Sequence, residues 1–262
     1  MKSILNRSLR ISNISELNDP YDMMLGITDF PAGYEEEVDT FSAALHMRDH
    51  MSEHAGVLCF SGKYREPVMW AHYANNHKGM CLVFDPSVLP VDALKKVRYT
   101  NTRPTVPFGL IHQMSEDGGN QEYLDAFYDA LVAKSAAWEY EEEYRLVLMI
   151  SDKEDYDGFF PIPKGFLKRV IVGFDCDYSP SNVRSLLNSS GFEDVPIQIT
   201  RLSQDKFEVD ALDYVRVDMG DITPDQTDLV EQKMAEAMEA WTASQDENRV
   251  EQGGAGNPLP AE

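Results

Sequence analysis

The sequence predicts an α+β domain whose mixed, largely antiparallel sheet carries flanking helices. Short apolar runs and amphipathic stretches interleave without a regular strand–helix alternation, and no expected strand leads into a glycine-rich phosphate loop, which argues against a doubly wound parallel sheet. Size allows it as well: 262 residues with 43% apolar and 10% aromatic content suffice for one large core.

Each element has a local reason. Residues 9–12 read as a short strand, ended by Asn18, Asp19 and Pro20, whose side chains or ring favour turns. Over 35–54 the apolar positions Val38, Phe41, Leu45 and Met51 recur at helical spacing, with acids in the first turn where the helix dipole favours them. Residues 56–61 and 79–85 are apolar runs suited to buried strands, and their long connector is expected to hold a short helix. A strand at 97–99 precedes a segment with Pro104 and Pro107 that should be irregular, followed by a helix over 121–137. Strand character returns at 144–150, 168–174 and 197–202. The helix between the last two is signed by Ser179 as N-cap, Pro180 at its first position and Gly191 past its end. Thr223 and Gln226 form a capping box for a terminal helix. The expected organisation is one α+β domain over 1–217, a C-terminal helix over 218–245, and a disordered acidic tail over 246–262.

The formal charge is −22, and residues 218–262 alone hold eleven acids and two bases, so part of the imbalance is a solvating extension. Such a charge opposes direct binding to a nucleic-acid backbone, although a nucleic acid can still serve as a substrate. No run spans a bilayer or resembles a signal peptide, so a cytoplasmic protein without a membrane partner is expected. Cys59, Cys81 and Cys176 are unevenly spaced among apolar neighbours, which suits buried thiols without a disulfide or structural zinc.

Three segments carry more polar and aromatic character than a core needs: 18–22, 69–74 and 138–145. In the first, Asn18 and Asp19 either fix their own turn or present oxygens to a cleft. In the second, Trp70 and Tyr73 are three apart and share a helix face, while His72 points elsewhere. Strand alternation in the third places Glu141, Glu143 and Arg145 on one face, where the guanidinium can grip one carboxylate and leave the other for a hydroxyl or a developing positive charge. A solvated acidic strand end is the plain alternative. His46, His50 and His54 form a stripe at four-residue spacing, better read as an exposed helix face than as a metal site.

The runs Asn18 to Asp22, Met69 to Gly79 ("MWAHYANNHKG") and Lys134 to Arg145 ("KSAAWEYEEEYR") resemble, in this order, the motifs of a bacterial domain-of-unknown-function family, number 2971, which brings no established reaction. More distantly, the glutamate leading the apolar strand "EYRLVLMI" is similar to the ADP-ribosyltransferase fold. That resemblance implies NAD as a substrate, no metal, and use in conflict between bacteria, phages or competing elements. By the same resemblance Glu143 would stabilise the oxocarbenium-like centre, with Glu141, Arg145 and His72 beside it. Tyr73 or Trp70 would stack on the nicotinamide, and Trp138 would be a further substrate- or cofactor-binding residue. The resemblance also implies a strand with a basic residue ahead of this segment: either Arg7 or Arg10 takes its place, the true start lies earlier, or the activity is lost in this chain. The rival expectation is a non-catalytic ligand-binding or protein-interaction module using the same residues as a buried polar network.

Overall fold

The computed structural model describes residues 2–33, 39–112, 121–150 and 157–214. They fall in one compact unit, Met1–Tyr214; the second, Val215–Glu262, lies outside the described residues, as do the acids at 35–37 and the expected terminal helix and tail. Helix α1 (Lys2–Leu5) leads into β1 (Ser8–Arg10), β2 (Ser12–Asn13), β3 (Gly26–Thr28), α2 (Thr40–His54) and β4 (Ala55–Ser61). Then come α3 (Pro67–Tyr73), β5 (Met80–Phe84), β6 (Leu94–Lys96), β7 (Arg98–Thr100), β8 (Thr105–Pro107), α4 (Phe108–His112) and α5 (Gln121–Leu131). The last elements are β9 (Ala133–Ser135), β10 (Glu143–Met149), β11 (Phe159–Pro161), β12 (Leu167–Val172), α6 (Pro180–Ser189), β13 (Ile197–Leu202) and β14 (Val209–Asp213).

The fold is α+β and mostly antiparallel. Its strands are divided between two four-stranded sheets, ordered β2-β4-β10-β6 and β14-β13-β12-β5, and three two-stranded pairs. Among the described residues only β12–β13, β3–β8 and β7–β9 pair in parallel. The apolar runs of β4 and β5 thus belong to different sheets, because the α3 connector carries the chain from one to the other. Met47 and Met51 of α2 pack with Phe127 and Leu131 of α5 over β4, while Val183 and Leu187 of α6 pack on β12 and β13.

Several expectations need correction. Helix α2 buries Ala44, Met47 and Met51, and Phe41 is exposed, so its inward stripe is offset from the one read through Phe41 and Leu45. The helix expected to 137 ends at Leu131: Arg98 N donates to Val132 O at 2.6 Å, and the β7–β9 ladder captures the backbone that a further helical turn would need. The segment with two prolines holds β8. Pro104 precedes it and Pro107 closes it, positions where a missing N–H is tolerated. Strand β11 is too short, and β14 too polar, to be read from pattern.

One ladder termination shapes the molecule. Antiparallel pairing joins Ser12 to Val57 and Asn13 to Gly56 and then stops. Its continuation would set Arg10 against Cys59 and Leu9 against Phe60, but β1 pairs with β11 instead, Leu9 opposite Phe160. The N-terminal strand and β4 therefore part company beyond Ser12, leaving an opening between them.

Helix α3 ends in three consecutive left-handed residues, Asn75, Asn76 and His77 (φ 47°, 54° and 67°). Asparagine tolerates this region better than most residues. The turn lets His77 N reach Trp70 O and Gly79 N reach Ala74 O, which satisfies carbonyls at the helix end. It also presses backbone on backbone: a Cβ at Gly173 would sit 2.0 Å from His77 O. Gly173→Ala is therefore expected to cost about 1–3 kcal/mol or more through overpacking, roughly 2–12 °C in melting temperature for a unit of this size, checked by calorimetry.

Candidate functional site

The opening between β1 and β4 is a cleft of about 550 Å³. Leu9, Arg10 and Ser12 wall one side, and Leu58, Cys59, Phe60 and Ser61 the other. Leu17, Asn18, Asp22, Met69, Tyr73, Lys134, Glu141, Glu143 and Arg145 complete it. Three distant stretches of chain thus converge on one hollow.

Its floor is an ion network. Arg145, fully buried, donates from Nε to Glu143 Oε1 at 2.7 Å and from Nη2 to Glu143 Oε2 at 3.1 Å. The same Nη2 reaches Asp22 Oδ1 at 2.8 Å, and Nη1 reaches Leu131 O at 2.8 Å. Lys134 Nζ bridges Glu141 Oε2 (2.5 Å) and Glu143 Oε2 (3.0 Å). Tyr73 donates its hydroxyl hydrogen to Glu141 Oε1 at 2.5 Å and accepts from Asn18 Nδ2 at 2.7 Å.

Local structure explains each position. After a 3-10 turn over Ala136–Glu141, Glu142 adopts the left-handed region (φ 44°, ψ 53°), which redirects the chain into β10 and leaves Glu141 and Glu143 both facing inward. Ser61 Oγ donates to Glu141 O at 2.6 Å, and Glu142 O accepts from Gly62 N at 2.9 Å, which fixes that bend to the end of β4. Strand β9 supplies Lys134, and Tyr99 of the neighbouring β7 accepts from Glu143 N at 2.8 Å. Arg103 pins the segment after Asp22 by donating to Met24 O and Leu25 O, both at 3.0 Å.

Burial and charge act against each other here. Burial alone would raise the Glu143 carboxyl, but Arg145 and Lys134 outweigh it, and the group is held below its ordinary value. For Asp22 burial prevails over Arg145, and the carboxyl is raised. Burial would lower Lys134, yet Glu143 and Glu141 hold its ammonium above the usual value. Burial and the bond to Glu141 push the Tyr73 hydroxyl up, so it remains a donor. Cys59 is exposed to the cleft yet hemmed in by protein; this desolvation, with Glu143 beside it, raises its thiol and disfavours the nucleophilic thiolate.

Of the residues singled out from sequence, Arg10, Asn18, Tyr73, Glu141, Glu143 and Arg145 line the cleft. Arg10 lies at the rim, ion-paired to Glu16 at 2.7 Å, whereas Arg7 stacks over Phe192. Asp19 is buried and serves its turn, accepting from Tyr21 N at 2.9 Å. Trp70 does not share the cleft face with Tyr73: it is buried with Ile171 and Val209, its Nε1 donating to Tyr64 O at 2.6 Å. His72 and Trp138 lie outside the cleft lining in an aromatic cluster with Tyr140, the His72 and Trp138 rings 5.9 Å apart. His46, His50 and His54 are exposed on α2, and among the described residues no group of His, Cys, Asp and Glu is placed to hold a metal ion. Cys59, expected to be buried, faces the cleft.

The sequence does not single out Lys134 as a site residue, and it offers Asp22 only as part of the segment 18–22. The expected helix hid Lys134 on a helical face; the available signal was an excess of acids beside the apolar strand, which demands a second buried cation.

Removing one cation strands its carboxylates, so Lys134→Met is expected to cost about 3–5 kcal/mol, measured by chemical denaturation. The depressed Glu143 carboxyl contributes stability that is present above its ordinary value near 4.5 and is lost as pH falls through its lower folded value. Glu143→Gln is expected to flatten the acid limb of a stability-versus-pH curve below about pH 4.5, where wild type loses this contribution.

Among the described residues no helix is long and apolar enough to cross a membrane. No curated protein and no solved structure matches the chain. Residues 69–146 match the model of a family described as "Protein of unknown function (DUF2971)". That stretch supplies Tyr73, Lys134, Glu141, Glu143 and Arg145 to the cleft, so over these residues the chain is similar to that family of unknown function.

Proposed function

We propose that the protein is an NAD-consuming enzyme of the ADP-ribosyltransferase type, with the cleft as its active site. The supporting observation is the delivery of Glu141 and Glu143, by one left-handed residue, to the floor of an open cleft whose volume lies in the range of small-molecule sites. Three carboxylates there face two cations, so the floor favours positive charge. In this reading Glu143, held ionised, faces the ribose carbon as its bond to nicotinamide breaks. Nicotinamide leaves neutral with the bonding pair, and the acceptor nucleophile forms the new bond and releases its proton. Lys134 and Arg145 position the carboxylates, and the Tyr73 hydroxyl orients Glu141.

A specific observation favours a second reading, a ligand-binding module without turnover. Both oxygens of Glu141 and of Glu143 already accept hydrogen bonds from protein groups, so these two side chains are satisfied without a ligand.

The two readings separate on NAD labelled in both halves, incubated with the full chain and a cell extract. The enzyme reading expects nicotinamide release and label transfer, with Glu143→Gln losing about 100-fold or more in turnover. Tyr73→Phe, which keeps the ring, is expected to lose less. No release by wild type, together with a Glu143→Gln variant that changes only melting temperature, rejects catalysis in favour of the module.

A further inference from the structure

The surplus negative charge of the cleft floor is localised. Glu143 meets Arg145 with both oxygens and Lys134 with one, and Glu141 has both oxygens engaged. Asp22 differs: Oδ1 accepts from Arg145, while Oδ2, on a side chain only 1% exposed, has no hydrogen-bond partner among the described residues. A buried carboxylate oxygen without a donor costs stability, and this one belongs to a residue of the cleft wall. The groups facing Asp22 are Arg145 and Glu143 from β10, Lys134 from β9 and Cys59 from β4. Arg145 meets Asp22 only at Oδ1, and Lys134 acts on it through space while its ammonium bonds Glu141 and Glu143, so neither cation gives Oδ2 a hydrogen bond. Arg10 at the rim is engaged by Glu16.

We infer that the cleft selects a small molecule bearing a cationic nitrogen centre, and that Asp22 is the residue that receives it. The inference rests on the cleft being a ligand site, as proposed above, and adds the charge class of its ligand. An anionic centre at the same place would add to the surplus, whereas a cationic one closes the count of charges and meets the free oxygen. Burial holds the Asp22 carboxyl above its ordinary value and a cation beside it opposes that shift, so binding the cation releases protons over the pH range in which Asp22 titrates. Affinity for the cation accordingly rises with pH through the range in which Asp22 titrates, above the ordinary carboxylate value.

Two probe pairs that differ in the charge of one ring test this by titration calorimetry on the full chain: NAD⁺ against NADH, and 1-methylnicotinamide against nicotinamide. Wild type is expected to bind the cationic member of a pair about tenfold or more tightly, the worth of one charge-assisted contact. Repetition in buffers of different ionisation enthalpy should show proton release with the cationic member alone. Asp22→Asn keeps an oxygen for Arg145 and is expected to abolish both the preference and the proton release, leaving affinity for the neutral member within about twofold. Equal affinity within both pairs, a preference that survives Asp22→Asn, or no binding of any probe at millimolar concentration overturns the inference. Cation preference without nicotinamide release would sink the enzyme reading and leave this one standing; release without preference would do the reverse.

Discussion

The buried guanidinium of Arg145 is the constraint on which the cleft depends. It ties β10 to itself through Glu143, to the turn after Asp19 through Asp22, and to the end of α5 through the carbonyl of Leu131. A rigid fork of donors suits this task, because a change in the angle of any one partner is felt by the others. Taking such a group out of water costs several kcal/mol, and only good geometry with the carboxylates offsets it. Positions around the floor are therefore set jointly, and the strand, the turn and the helix end are registered to one another through charge as well as through packing.

Legibility in the sequence followed the range of the interaction. Features settled within a few residues could be read: the Ser179 cap, Pro180 and Gly191 around α6, the apolar run of β10, and the alternation that turns Glu143 and Arg145 to one side, whereas Glu141 reaches that side through the left-handed Glu142 and not by strand alternation. Features settled by distant pairing could not. Lys134 lies on β9 because β7 captures that backbone, and nothing within the segment announces it. Trp70 and Tyr73 sit on one short helix at a spacing that suggests a shared face, yet one goes to the second sheet's apolar cluster and the other to Glu141. Within residues 18–22 the composition could not rank Asp19 against Asp22; the difference is that Asp19 spends one oxygen on its own turn while Asp22 meets a strand more than a hundred residues away.

The aromatic residues around α3 divide in the same manner. Trp70 stacks on His77, which packs in turn on Phe174, so the left-handed turn behind the helix is braced against the second sheet. His72, Trp138 and Tyr140 gather on the other side, and Lys134 lies under the Trp138 ring at 4.9 Å. One short helix is thereby held by aromatic packing behind it and by hydrogen bonds in front of it. Tyr73, half exposed, is the residue that carries this restraint into the cleft.

The cleft exists because a zipper stops early. Beyond Ser12 the first strand changes partner, so its neighbour from Leu58 to Ser61 keeps one margin unbuttoned on the side facing the hollow. The main-chain amides and carbonyls along that margin are fixed in direction by the pairing on the opposite side. A ligand recognised through such groups would be read by its outline, whichever side chains hang from the walls.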